Sequence, residues 1–126
     1  MEMAPKKKII WVEDDSFLSG LVAMKLEHGD FGITLANSSD EMMRELEKEM
    51  PAVIVLDLML PGQDGFEVLK TLKADDRYKM IPVVVVTNLS QESDIQKAKE
   101  LGAAKFLIKA HSTIDEILKE IETMLS

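Results

Sequence analysis

Four apolar segments of this 126-residue chain each end at side chains that can do chemistry. These side chains are acids, a hydroxyl and an ammonium: Glu13, Asp14 and Asp15 after the first segment, Asp57 after the second, then Thr87 and Lys109. Neighbouring carboxylates repel each other unless a cation neutralises them, and Mg²⁺ suits one or two carboxylates together with water and phosphate oxygens. A carboxylate can also attack a phosphoryl group, whose charge an ammonium and a hydroxyl then offset. Together these residue types predict phosphoryl transfer onto a carboxylate.

Each of these residues also has an ordinary structural explanation when it is taken alone. Acids that follow a strand commonly cap the next helix and interact favourably with its dipole. Thr87 alone would be a strand-end threonine, and Lys109 alone a surface lysine. Asp57 is harder to explain in this way, because an unpaired charge after a buried strand is costly. The agreement of all four strand ends favours a common site.

Short β-branched segments alternate with helical patterns along the chain. The strands and helices that they predict must position the site residues. The predicted strands are 8–12, 33–36, 52–56, 82–87 and 105–108. The helices between and after them are predicted from apolar stripes, with N-caps at Ser38, Ser90 and Ser112. This order predicts an α/β, doubly wound (βα)5 parallel sheet with helices on both faces. Ligands bind such sheets beyond the carboxyl ends of the strands, where the residues above would converge.

Composition excludes several classes of protein. Lys and Arg number 15 against 23 Asp and Glu, a net charge of −8, which argues against direct nucleic-acid binding. The absence of Cys excludes disulfides, zinc–thiolate sites and a thiol nucleophile. No signal peptide and no apolar run of about 20 residues is present, so we expect a cytoplasmic protein without membrane insertion. No linker or composition break interrupts the chain, which predicts one domain over 1–126 with its core at about 7–125.

Four segments together resemble the receiver domain of two-component response regulators, and the resemblance covers nearly the whole chain. The segments are IIWVEDD (9–15), VIVLDLMLPGQDG (53–65), VVVVTN (83–88) and GAAKFLIK (102–109). The second is the most specific, because an Asp that closes an apolar strand before MLPGxDG is characteristic of that family. The resemblance implies a flavodoxin-like sheet with strand order 2-1-3-4-5.

The resemblance also implies roles for the residues of the predicted site. Asp57 would accept a phosphoryl group from the phosphohistidine of a histidine kinase or phosphotransfer protein, or from a small acyl phosphate. Asp14, Asp57 and the backbone carbonyl of Met59 would hold Mg²⁺, and Glu13 would assist through water. Lys109 would pair with Asp57 and then with the phosphoryl oxygens.

A second group of residues would convert phosphorylation into a change of surface. Thr87 would hydrogen-bond a phosphoryl oxygen and move inward when it arrives. Phe106 matches the aromatic switch residue of the family, although it would equally serve as a core aromatic. Its rotamer would reshape the surface of the fourth helix, fifth strand and fifth helix. Asp15 is expected to cap the first helix, whose apolar stripe covers residues 18–26.

The chain departs from the family pattern at Ala110, where relatives usually carry a proline after a cis bond. The position of Lys109 depends on this turn, because a cis bond before a residue other than proline costs roughly 3 kcal/mol. Two apolar residues, Met59 and Leu89, stand two positions beyond Asp57 and Thr87. They predict slow self-dephosphorylation, since they would shield the acyl phosphate from water.

The favoured function is a phosphorylation switch that is not an enzyme in the ordinary sense. A flavodoxin-like cofactor protein lacks support, because three acids follow the first strand in place of a phosphate-binding loop. A haloacid-dehalogenase-like phosphatase needs a second acid where Met59 stands. A degenerate receiver that acts as a phosphorylation-independent interaction module remains the alternative, and Ala110 supports it.

We expect no output domain in this chain, which would be a natural single-domain phosphorelay protein or a receiver cut from a longer one. The expected partners are the phosphoryl donor and a downstream protein. The expected state is a monomer or a weak, phosphorylation-dependent dimer.

Overall fold

A computed structural model describes residues 7–14, 19–21 and 31–125 of the chain. Residues 19–21 are helical. The rest of the predicted first helix and its expected cap, Asp15, lie outside the described residues.

Five parallel strands form the main sheet, in the order β2-β1-β3-β6-β7. Their bounds are β1 Lys7–Val12, β2 Phe31–Ala36, β3 Val53–Leu56, β6 Val83–Thr87 and β7 Lys105–Ile108. All five strands were predicted, and β2 begins two residues earlier than expected. A two-stranded antiparallel hairpin, β4 Met59–Leu60 and β5 Gln63–Asp64, follows β3. When this hairpin is left out of the count, the order is the expected 2-1-3-4-5.

Four helices are described in full: α1 Ser39–Lys48, α2 Gly65–Ala74, α3 Glu92–Glu100 and α4 Ile114–Leu125. A short 3₁₀ turn, Lys109–His111, links β7 to α4. None of the helices in the described ranges has both the length and the apolarity that a membrane span requires.

The predicted helix caps are partly confirmed. The hydroxyl of Ser38 accepts a hydrogen bond from the Glu41 N–H at 3.2 Å, as expected for the N-cap of α1. Ser90 is wrong as a cap, because α3 begins after Gln91, which makes no capping hydrogen bond through its side chain.

Ser112 is also wrong as a cap. The capping box is formed one residue later by Thr113 and Glu116, since α4 begins at Ile114.

Both faces of the sheet are buried, as the almost continuous apolar strands predicted. On one face Ile54 belongs to a cluster that includes Leu69 of α2. On the other face Val55 belongs to a cluster that includes Trp11 and Ile117 of α4. Each fully buried aliphatic side chain contributes roughly 1.5–3 kcal/mol. The two clusters therefore hold the strands in a fixed register, which places their carboxyl ends side by side.

Candidate functional site

Three predicted site residues meet at the carboxyl edge of the sheet, at the ends of three different strands. The ammonium of Lys109, after β7, donates a hydrogen bond to Asp57 Oδ2, after β3, at 2.8 Å. The same ammonium donates to Oε1 of Glu13, after β1. Glu13 is 1% exposed and Asp57 is 6% exposed. The site therefore contains two buried carboxylates joined by one lysine, as an unpaired buried charge would be costly.

Burial and neighbouring charges shift the pKa values of two groups in this site. Burial raises the pKa of Glu13, and the Lys109 ammonium only partly opposes that rise. Burial acts to lower the pKa of Lys109, but its hydrogen bonds and charge interactions with Asp57 and Glu13 prevail, so the pKa is raised. Lys109 is therefore held in its charged form, in which it offsets part of the negative charge of the two carboxylates.

Glu13 has a second partner that was not predicted. The indole N–H of Trp11 donates to Glu13 Oε2 at 3.4 Å, so both carboxylate oxygens of Glu13 are engaged. Trp11 is 1% exposed and belongs to the core. The pairing has a signal in the sequence, since residues two apart on a strand face the same side of the sheet.

Local backbone contacts orient Asp57. Its N–H donates to the Val12 carbonyl at 3.1 Å, and its Oδ1 accepts from the Met59 N–H at 2.9 Å. The next residue, Leu58, lies so close to α2 that a Cβ on Gly65 would be 2.3 Å from its Cα. Only glycine fits there, which gives a physical reason for the second Gly of the MLPGxDG segment, Gly65.

Thr87 and Phe106 lie near the site on the neighbouring strands. Thr87 ends β6, is fully buried, and accepts from the Leu89 N–H at 3.4 Å. Within the described ranges it makes no hydrogen bond to Asp57 or Lys109. Phe106, on the edge strand β7, is partly buried against the cluster that includes Ile54 and Leu69. The contacts of both residues are compatible with the predicted switch roles, which stay predictions.

The predicted metal ligands lie at the same edge but are not gathered into a preformed cage. Asp14 is exposed, and Met59 is 55% exposed on β4. Among residues 7–14, 19–21 and 31–125, no three acidic or histidine side chains form a group that would hold a metal ion. Lys109 binds both buried carboxylates instead.

The turn at Ala110 does not displace Lys109. The structure contains no cis peptide bond in its described ranges, so the Lys109–Ala110 bond is trans. Lys109 opens the 3₁₀ turn and still contacts both acids. The departure from the family pattern therefore leaves the ammonium at the site.

Known proteins are similar to this chain over nearly its whole length. The family model "Response regulator receiver domain" matches residues 9–122. The alkaline phosphatase synthesis transcriptional regulatory protein PhoP of Bacillus subtilis is 35% identical over 106 residues, which cover 84% of this chain and 43% of PhoP. This chain spans about half the length of the curated relatives it matches.

Solved structures of similar proteins agree with the fold. The Mn²⁺-bound form of response regulator Rcp1 is 32% identical in sequence and has a TM-score of 0.77. The match covers 94% of this chain and 88% of the Rcp1 chain. The BeF₃-activated receiver domain of Klebsiella pneumoniae RstA is 27% identical in sequence and has a TM-score of 0.84. The match covers 94% of this chain and 98% of the RstA domain.

Proposed function

This chain belongs to the family of response regulator receiver domains, and from that premise we propose that Asp57 is its phosphoacceptor. The observation that carries the proposal is the lysine that joins two buried carboxylates at the carboxyl edge of the sheet. A carboxylate beside a fixed ammonium is suited to attack phosphorus, because the ammonium can then neutralise the phosphoryl oxygens. Family members act in two-component signalling as phosphoacceptors rather than as enzymes with ordinary turnover.

The proposed reaction forms one bond and breaks one. A carboxylate oxygen of Asp57 attacks the phosphorus of a phosphohistidine, a P–O bond forms, and the P–N bond breaks as the imidazole leaves with a proton. The Met59 N–H holds Oδ1 at 2.9 Å and so fixes the orientation of the carboxylate. The Lys109 ammonium then moves its hydrogen bond from Asp57 to the phosphoryl oxygens, and the Thr87 hydroxyl donates a hydrogen bond to one of them.

A divalent metal ion suits the donors at this edge. Asp14, Asp57 and the Met59 carbonyl offer hard oxygen ligands, and the exposed Asp14 leaves room for the waters that Mg²⁺ retains. These three residues would hold Mg²⁺. When bound, the ion supplies charge neutralisation at the phosphoryl oxygens. Glu13 would assist through water with the lone pairs that its hydrogen bonds to Lys109 and Trp11 leave free.

The output is proposed to be protein binding. The phosphoryl donor would be a histidine kinase or a phosphotransfer protein. Thr87 and Phe106 would pass the change to the surface of α3, β7 and α4, where a downstream protein would dock. The net charge of −8 opposes direct binding of nucleic acid by this domain. We place the protein in the cytoplasm, as one receiver domain over 1–126.

The test is the intact mass of the protein after incubation with acetyl phosphate, with and without Mg²⁺. Asp57→Asn is the matched control, since it keeps the size of the side chain and removes its charge. We expect a Mg²⁺-dependent gain of one phosphoryl group in the wild type and none in the variant. A gain of equal size in Asp57→Asn would contradict the assignment. No gain from acetyl phosphate or from any kinase tested would favour the phosphorylation-independent interaction module.

A further inference from the structure

Methionines of this chain differ widely in their exposure to water. The chain has nine methionines and no cysteine, so thioether sulfur is its side-chain group most open to attack by a peroxide. Met42 is 1% exposed, whereas Met50, Met59 and Met80 are 52%, 55% and 85% exposed. Peroxide in the solvent therefore reaches the sulfur atoms of these three residues and not that of Met42.

Of these three exposed methionines, Met59 is the one beside the phosphoacceptor. Its backbone N–H donates to Asp57 Oδ1 at 2.9 Å. Side chains alternate along β4, and the next residue, Leu60, is 5% exposed, so the Met59 side chain lies on the solvent side of the hairpin. Met80 lies at the opposite end of the sheet, in the segment that precedes β6.

We propose that Met59 is a methionine oxidation site that regulates how long Asp57 stays phosphorylated. This proposal rests on the phosphoacceptor role proposed above. A lone pair of the Met59 sulfur attacks one oxygen of hydrogen peroxide, and an S–O bond forms as the O–O bond breaks. The sulfur loses two electrons, and the other peroxide oxygen leaves as hydroxide, which takes the proton from the oxygen now bound to sulfur and becomes water. The product is methionine sulfoxide.

The sulfoxide changes the chemistry next to Asp57. A thioether is a weak hydrogen-bond acceptor, whereas a sulfoxide is polar. A polar oxygen at this edge holds water close to the acyl phosphate, and water is the second reactant in its hydrolysis. Oxidation of Met59 therefore shortens the life of the phosphorylated state. Reduction of the sulfoxide by a methionine sulfoxide reductase, with a thiol as the electron donor, restores the thioether and the longer life.

The experiment compares the wild type with Met59→Leu and with the matched control Met80→Leu. Each protein is treated with hydrogen peroxide, freed of it, and phosphorylated with acetyl phosphate and Mg²⁺. Intact mass then follows the loss of the phosphoryl group, and peptide mass mapping locates the added oxygen. We expect peroxide to speed the loss several-fold in the wild type and in Met80→Leu. In Met59→Leu we expect the same rate as in its own untreated sample.

Two results would overturn the inference and leave the phosphoacceptor role intact. One is oxygen mapped to Met59 with no change in phosphoryl lifetime. The other is an acceleration that persists in Met59→Leu, which would place the effect at another residue. An untreated wild type that takes up no phosphoryl group would overturn the proposed function and this inference together.

Discussion

Two partly buried lysines lie at opposite ends of the parallel sheet in opposite surroundings. Lys109, at the carboxyl end, donates to the carboxylates of Glu13 and Asp57, and its pKa is raised. Lys73, in the last turn of α2, donates at 3.1 and 2.7 Å to two backbone carbonyls of the 79–81 segment, at the amino end. Burial lowers the pKa of Lys73.

The difference lies in what each ammonium neutralises. Lys109 donates to two charged carboxylates, and the phosphoryl group of the proposed reaction would offer it another negative charge. Lys73 donates to neutral backbone carbonyls and so fixes the segment before β6, and it makes no ion pair with any residue in the described part of the chain. The carboxyl end of the sheet is therefore suited to chemistry and the amino end to structure.

The largest effect is expected from removal of the Lys109 ammonium. Lys109→Met leaves two buried carboxylates without a counterion, which should lower the free energy of unfolding by about 3–5 kcal/mol. Adding Glu13→Gln should recover part of that loss, since one of the two repelling charges disappears. Urea unfolding at neutral pH measures both variants. A loss no larger than that of Lys73→Met would break the comparison between the two ends.

A smaller effect is expected from a methyl group at the glycine next to the site. Gly65→Ala places a Cβ 2.3 Å from the Leu58 Cα, and such overpacking costs about 1–3 kcal/mol. Because Leu58 follows Asp57, phosphorylation should also slow.

The matched control is Gly102→Ala at the amino end, where φ is +101° and the added Cβ meets the Lys73 side chain at 3.2 Å. This variant should lose stability but keep the wild-type rate of phosphorylation from acetyl phosphate. Equal slowing in both variants would show that the two ends are coupled.

A third prediction concerns Lys73 itself. Lys73→Met removes the donor from two carbonyls, and unpaired groups of this kind cost about 1–3 kcal/mol when buried. Lys73 is only partly buried, so we expect a loss near the lower limit. Phosphoryl gain by intact mass should be unchanged. Slower phosphorylation of this variant would contradict a purely structural role.

The smallest effect is a dependence of stability on alkaline pH. The pKa of Lys73 is lower in the folded protein than in the unfolded chain, so the unfolded chain binds more protons between the two values. The contribution of Lys73 to stability should therefore rise with pH as the folded group loses its proton, up to the ordinary lysine pKa. The difference in urea midpoint between wild type and Lys73→Met should widen across that range. A difference that stays constant or narrows would refute the assignment.

Most of the fold could be predicted from sequence because its strands are unusually uniform. The four consecutive valines of β6 and the apolar run of β3 do not alternate with polar residues. Such continuous apolar runs are typical of strands covered on both faces. The β4–β5 hairpin could not be predicted in this way, since two-residue strands leave no pattern. The caps at Ser90 and Ser112 were each wrong by one residue, because several polar residues precede each helix and only packing selects the one that caps.

The site residues could be predicted by type, and the pairing of Lys109 with Asp57 was expected from the family resemblance, but the partners of Glu13 were not. That Asp57 and Lys109 share one edge follows from where their strands end. Glu13 was expected to act through water on a metal ion, yet it contacts Lys109 and Trp11 directly. The contact with Trp11 agrees with their spacing of two residues along the chain, whereas the contact with Lys109 depends on side-chain directions at the ends of β1 and β7, which residue spacing does not define.

Trp11 is the only tryptophan of the chain, and it is one hydrogen bond away from the charged site. Its indole is sealed from water, and electric fields are strong in such a medium of low polarity. Any event that draws Lys109 away from Glu13 changes the field at the indole ring. The intrinsic emission of Trp11 should therefore change when Lys109 leaves Glu13, and a stopped-flow measurement can follow that change without a dye.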